Sequence, residues 1–351
     1  MRTTNIAPDL DAFMATMVAQ SGPISIERAL ALARERFALE AKALRLTGER
    51  DENFKLTLAD GTEYVLKIAN PAEAAAATDL QIAALLHLER TRAELPIPQI
   101  LRTPGGDAAV RFEDASGVER TARILSYLPG RLLEDSVPSP QQRAACGRLG
   151  GRLSCALGSF EHPAAHRAVI WDVCHVGYLS RLLTQMPSFA FRSRAGDLLN
   201  RIVPVIEGRF RMLRHQVVHN DLNPRNILVD PQDGSRVVGI IDFGDLTHTA
   251  LIADVAVAGA ELIPPDCADP AMARDCVLDV ARAYHECVPL LAPELAILAA
   301  LVAARLAMNI VVHEWHVDHN PSSQHFAALD RDFMSARLEL ANRLLDEEFR
   351  L

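Results

Sequence analysis

The spacing of apolar residues changes character at Pro129-Gly130, and that change constrains the fold of this 351-residue chain more than any other feature. Before it, short runs alternate polar and apolar with the two-residue period of a half-buried strand. Asn53–Leu58 (NFKLTL), an Asp60-Gly61 turn and Glu63–Ile68 (EYVLKI) predict a hairpin. Ala108–Phe112 and Arg120–Leu128 supply further strands. Ser25 to Phe37 has helical spacing with Ser25 as its cap, and Pro71 opens an alanine-rich helix to about Arg90 that Pro96 and Pro98 end. After Pro129-Gly130 the period is helical over Pro140–Phe160, Val173–Met186, Arg194–Arg214, Thr249–Leu262, Ala271–Cys287, Pro293–Trp315 and Gln324–Glu348. The expectation is an α+β chain of two lobes. Residues 1–128 form leading helices and an antiparallel sheet, and residues 129–351 a mostly helical lobe.

Composition narrows the partners. With 36 basic against 45 acidic residues the formal charge is -9, whereas a nucleic-acid binder needs a concentrated basic face to displace counterions. A small molecule is the expected partner, not nucleic acid. The first twenty residues lack a basic head and apolar core of the secretory type, so a cytoplasmic location is expected. The apolar run Leu295–Ala304 stops at Arg305, short of the ~30 Å a bilayer demands, so it reads as a buried helix and no membrane is expected. Six cysteines with no C-x-x-C pair predict reduced structural thiols.

Inside the helical region one stretch resists the helical period: Val217 to Phe243, reading VVHNDLNPRNILVD and then VVGIIDFGD. Phosphoryl transfer asks little covalent chemistry of a protein. It needs a carboxylate to orient the acceptor hydroxyl and take its proton, and oxygens to hold magnesium on the phosphates. Asp221 follows His219 by two and precedes Asn226 by five, the catalytic-loop pattern H-x-D-x-x-x-x-N, with Asp221 as base and Asn226 as metal ligand. Asp242, in Asp-Phe-Gly after an apolar strand, is the expected second metal ligand. The order of the two motifs, with a turn-forming DPQDG between them, makes the pair far more specific than either alone.

A triphosphate also needs a cation. Lys67, near the end of the apolar strand VLKI, is expected to supply it, because an inward ammonium is costly unless it meets a charged ligand. Its carboxylate partner is expected on the next helix, at Asp79, with Glu73 the alternative. The loop Gly48–Asn53 has a single glycine, so the side chains of Arg50 and Asn53 are expected to contact the nucleotide where backbone amides cannot.

At these residues the chain resembles the aminoglycoside phosphotransferase and choline kinase superfamily, particularly its hydroxylysine kinase-like branch. The resemblance rests on GERDENF (48–54), YVLKIANP (64–71), RILSYLPG (123–130), IWD (170–172), HNDLNPRNILVD (219–230) and GIIDFGD (239–245). It implies a bilobal protein-kinase-like fold, ATP or GTP as donor with its base near Ser126 and Tyr127, metal at Asn226 and Asp242, and a small hydroxylated amine or hydroxy-amino acid as acceptor. Two positions depart from the pattern: Asn220 where relatives carry glycine, and Asp79 in place of a glutamate. No Ala-Pro-Glu segment follows Asp-Phe-Gly, which argues against a protein substrate.

Three residues are expected to read the acceptor. Asp245 and Asp172 are placed to meet an ammonium group, although Asp172 equally suits the cap of a helix from Val173. Arg305, alone among Leu301, Val302, Leu306 and Met308, must meet a carboxylate, either the substrate's or the protein's own. Asp254 reads as a scaffold carboxylate that ties the catalytic loop to the following helix.

Overall fold

The structure is a computed structural model that describes residues 7–19, 22–48, 50–92, 94–320 and 329–351. Two compact units emerge, one of Met14–Pro129 and one that joins residues through Phe13 to Gly130–Leu351.

In the first unit, helix α2 (Ile26–Phe37) precedes strands β1 (Ala41–Leu46), β2 (Glu52–Leu58) and β3 (Glu63–Ile68). Helix α3 (Ala75–Thr91) and strands β4 (Ile100–Leu101), β5 (Val110–Glu113) and β6 (Glu119–Ser126) follow. The strands form one antiparallel sheet in the order β1-β2-β3-β6-β4, with β5 also paired to β6. Alternation sorts its faces. Phe54, Leu56, Leu66, Ile68, Ala122 and Ile124 are buried against Ala29, Leu32, Ala33 and Phe37 of α2. The positions between them fall on the other face, where Lys67 lies in register with Asn53 of β2 and Arg123 of β6. Helix α2 begins as expected, with the Ser25 hydroxyl accepting the Arg28 amide at 3.2 Å.

The start of the chain departs from the expected grouping of residues 1–128. Helix α1 (Ala7–Val18) carries Asp11, whose carboxylate pairs with Arg181 at 2.7 Å and accepts the Tyr178 hydroxyl. These contacts account for residues through Phe13 clustering with the second unit.

The second unit opens with β7 (Arg131–Leu132) and α4 (Pro140–Leu157), which starts in a capping box between Ser139 and Gln142. Helices α5 (Leu179–Gln185) and α6 (Arg192–Arg209) lead to strands β8 (His215–Val218), β9 (Ile227–Val229), β10 (Val237–Ile240) and β11 (Thr247–Ala250). Helices α7 (Ile252–Glu261), α8 (Pro270–His285), the single turn α9 (Ala292–Leu295), α10 (Leu298–His319) and α11 (Arg331–Leu344) complete it. Two expected helices begin otherwise. The segment from Thr249 starts as strand, because β11 pairs antiparallel with β8, and the segment from Val173 starts as a 3-10 helix through Tyr178. Gln324, the expected start of the last helix, lies outside the described residues.

Helix α10 is the core of this unit, packed against α5, α6, α7 and α11. Its 22 residues make it long and apolar enough to cross a membrane by length and composition, yet 78% of its most apolar window is buried inside the protein. Helix α4 lies along α8 so closely that a Cβ at Gly147 would sit 2.2 Å from the Val280 carbonyl oxygen.

Candidate active site

Strand β8 delivers His219, Asn220 and Asp221 to the loop that follows it. The turn is held from below by Asp254 on α7, whose carboxylate accepts the Asn220 amide at 2.7 Å and the His219 amide at 3.3 Å. This is the scaffold role expected of it. Asn220 sits at φ 66°, a left-handed conformation that asparagine enters more readily than most residues. His219 is fully buried, which lowers its pKa and keeps the ring neutral, edge-on to Phe243 at 4.9 Å.

The loop then folds back onto Asp221. Its Oδ1 accepts Asn223 Nδ2 at 2.8 Å and Arg305 Nη2 at 3.1 Å, while its Oδ2 accepts Asn226 Nδ2 at 2.6 Å. Burial raises the Asp221 pKa to about 6, with Asp245 and Glu261 adding to the rise and Arg305 and Asn223 opposing it. A carboxylate so tuned is ionised at neutral pH yet basic enough to take a proton.

Asn226 and Asp242 are neighbours through the main chain, since the Ile241 amide donates to the Asn226 carbonyl at 2.8 Å. Asn226 donates its Nδ2 to the Asp221 carboxylate and carbonyl, and its amide oxygen takes no part in either bond. Asp242 stands at φ 58° with Oδ1 accepting the Gly244 amide at 2.9 Å. Left-handed backbone in a non-glycine residue marks a position held against its preference. An amide oxygen and a carboxylate suit a hard divalent cation such as magnesium or calcium.

On the first unit's sheet, Lys67 Nζ lies 3.7 Å from the Asp51 carboxylate, and Arg123 Nη2 reaches the same carboxylate at 3.0 Å. Arg123 is 1% exposed and also donates to Gln81 Oε1 at 2.5 Å. The expected Asp79 pairing is corrected: Asp79 is exposed on α3, and the loop's Asp51 stands at Lys67 instead. Glu73 pairs with Arg50 at 3.5 Å, and Asn53 flanks Lys67 in register. The Ser126 hydroxyl accepts the Gln99 amide at 2.9 Å, and the Lys55 ammonium rests 4.1 Å from the centre of the Tyr127 ring. Arg123 and Asp51 escaped the sequence reading. The signal was there in an arginine inside the apolar strand RILS, but the strand register that sets it beside Lys67 was not.

Residues 42–290 match the phosphotransferase enzyme family. The chain belongs to that family. As one of these phosphotransferases it is a small-molecule kinase that acts on hydroxyl groups. It is 26% identical over 330 residues to the hydroxylysine kinase of Mus musculus, covering 88% of this chain and 87% of that one. Its fold is that of an amicoumacin kinase (TM-score 0.66, 15% identity, 92% and 94% of the two chains). A microcompartment-associated aminopropanol kinase is similar too (TM-score 0.62, 17% identity, 91% and 95%).

The phosphotransferase's expected acceptor residues fare unevenly. Asp245 is buried and close enough to Asp221 and Arg305 to bear on the charge of both. Asp172 takes the cap role, one of the two expected of it. It is 2% exposed, caps the 3-10 helix by accepting the Cys174 amide at 3.0 Å, and accepts the Thr249 hydroxyl at 3.0 Å. Arg305 meets the protein's own carboxylates, with Nε 2.7 Å from Glu261 Oε1 and Nη2 on Asp221, and its Nη1 donates to the Trp171 carbonyl at 3.3 Å. Of the two kinds of carboxylate expected to meet its charge, the protein's own are the ones it meets here.

Proposed function

We propose that the chain transfers the γ-phosphoryl group of magnesium-bound ATP or GTP to the hydroxyl of a small aminated acceptor, in the cytoplasm. The single observation that carries this reading is the Asp221–Asn226 arrangement, in which one amide nitrogen holds both the carbonyl and the carboxylate of the base. The acceptor's hydroxyl proton passes to Asp221 Oδ2 as its oxygen bonds the γ-phosphorus. The bond from that phosphorus to the β-bridging oxygen breaks, and the nucleoside diphosphate leaves. Bound at Asn226 and Asp242, magnesium would offset phosphate charge, and Lys67 would supply a cation for phosphate oxygens. The similar amicoumacin kinase was solved with AMP-PNP and calcium, which supports the same donor chemistry here.

A hydroxylysine-like hydroxy-amino acid is the first acceptor reading, supported by the resemblance to hydroxylysine kinase over most of the chain. An amino alcohol or aminoglycoside is the second, and one observation favours it. Arg305 is committed to Glu261 and Asp221, while Asp245, Glu261 and Asp221 together leave the surroundings of the base acidic, which suits an ammonium group better than a carboxylate. A panel of 5-hydroxylysine, homoserine, 1-amino-2-propanol and kanamycin, each with ATP and with GTP and magnesium, tests the reading. Diphosphate release that depends on one of these acceptors is expected. Nucleotide binding with no acceptor-dependent turnover across the panel would favour a catalytically silent nucleotide-binding protein instead.

A further inference from the structure

Arg305 is a buried charge of the second unit that reaches Asp221 directly, and three of its nitrogens have partners. It is 3% exposed on α10, with its guanidinium stacked 5.1 Å from the centre of the Trp171 ring. Nε is fixed by Glu261 Oε1 on α7, and that same oxygen accepts Asn309 Nδ2 at 2.9 Å, one turn further along α10. Nη1 is fixed by the Trp171 carbonyl, and Nη2 is left pointing at Asp221 Oδ1. A planar fork held on two of its arms has one orientation for the third.

The two oxygens of Asp221 are therefore unequal. Oδ1 carries two donors, Arg305 and Asn223, and Oδ2 carries one, Asn226. An oxygen with two donors on its lone pairs has little left for an acceptor's proton, whereas Oδ2 keeps a lone pair for it. We propose that Arg305, braced by Glu261, Asn309 and Trp171, is a positioning residue that holds Asp221 by Oδ1 and so presents Oδ2 to the acceptor hydroxyl. This rests on the reading of Asp221 as the base. Arg305 needs no contact with substrate or nucleotide, so its influence falls on the chemical step and not on binding.

The test is a double-mutant cycle on the full chain, with initial rates measured using the magnesium-nucleotide and acceptor of that panel that the parent turns over fastest and, in parallel, water as acceptor. Arg305→Met is expected to lower kcat by on the order of 10²-fold, the cost of a base out of line by about an ångström, with both KM values moving less than about threefold. Arg305→Lys, which restores the charge and loses the fork, should recover part of that loss, and Glu261→Gln, which loosens Nε alone, should lie between it and the parent. In an Asp221→Asn background, Arg305→Met should slow the enzyme by less than about threefold more, because its route to the reaction is already gone. If the second loss instead matches the first, or if the acceptor KM carries the effect, Arg305 acts elsewhere and the proposal is overturned. Failure of the underlying reading looks different: Asp221→Asn would by itself keep the parent's turnover. Should Arg305→Met not fold, the Lys and Glu261→Gln variants decide, since equal and undiminished kcat in both would overturn the proposal.

Discussion

Asp221 sits under opposing influences, and its behaviour follows from which is larger. Burial, Asp245 and Glu261 disfavour its charge, Arg305 and Asn223 favour it, and the balance leaves a pKa of about 6. As a base it must be ionised, so kcat/KM of the free enzyme is expected to fall as pH drops through about 6, which a pH–rate profile checks. Stability runs the other way. A carboxylate whose folded pKa is raised contributes stability below its unfolded pKa that is lost as pH rises through the folded one, so the Tm of Asp221→Asn minus that of the parent should increase between about pH 4 and about pH 6 and level off above that. The same variant should lose two or more orders of magnitude in kcat while still binding nucleotide. Asp221, Asn226 and Asp242 were legible in the sequence because they lie along one loop and one strand end, where spacing alone brings them together. Glu261, Arg123 and Asp51 were not, since each reaches its place through packing between elements far apart in the chain.

At the scale of elements, the alternating strands and the capped helix α2 followed directly from local pattern, because there the period and the buried face agree. Where tertiary pairing competed, local pattern lost. The turn of chain at Thr249 falls within a helical period, but antiparallel pairing with β8 satisfies its backbone and makes it a strand. Helix against helix gives another case. Gly147 weakens α4 intrinsically, and alanine would ordinarily strengthen a helix there by up to about 1 kcal/mol. Its added carbon would meet the backbone of Val280, which cannot swing aside as a side chain can. Gly147→Ala is therefore expected to destabilise by about 2 kcal/mol, read as a lower urea midpoint, and an unchanged or raised midpoint would show that α4 and α8 separate easily.

For the whole molecule, a ligand that binds only the folded chain raises its Tm in proportion to the logarithm of its concentration. ATP or GTP with magnesium should raise Tm by a few degrees in a thermal-shift assay. Asp242→Asn should lose most of the part that depends on magnesium, because an amide is a poorer ligand for that ion than a carboxylate. A variant with the parent's magnesium response would remove Asp242 from the metal position. The contact between Arg305 and Asp221 also joins residues 84 positions apart in the chain. During synthesis at roughly 5–20 residues per second, the loop bearing Asp221 leaves the ribosome on the order of ten seconds before the helix that orients it. A nascent or truncated chain lacking α10 thus carries the catalytic sequence without Arg305 on its base, so activity is expected to wait for that helix.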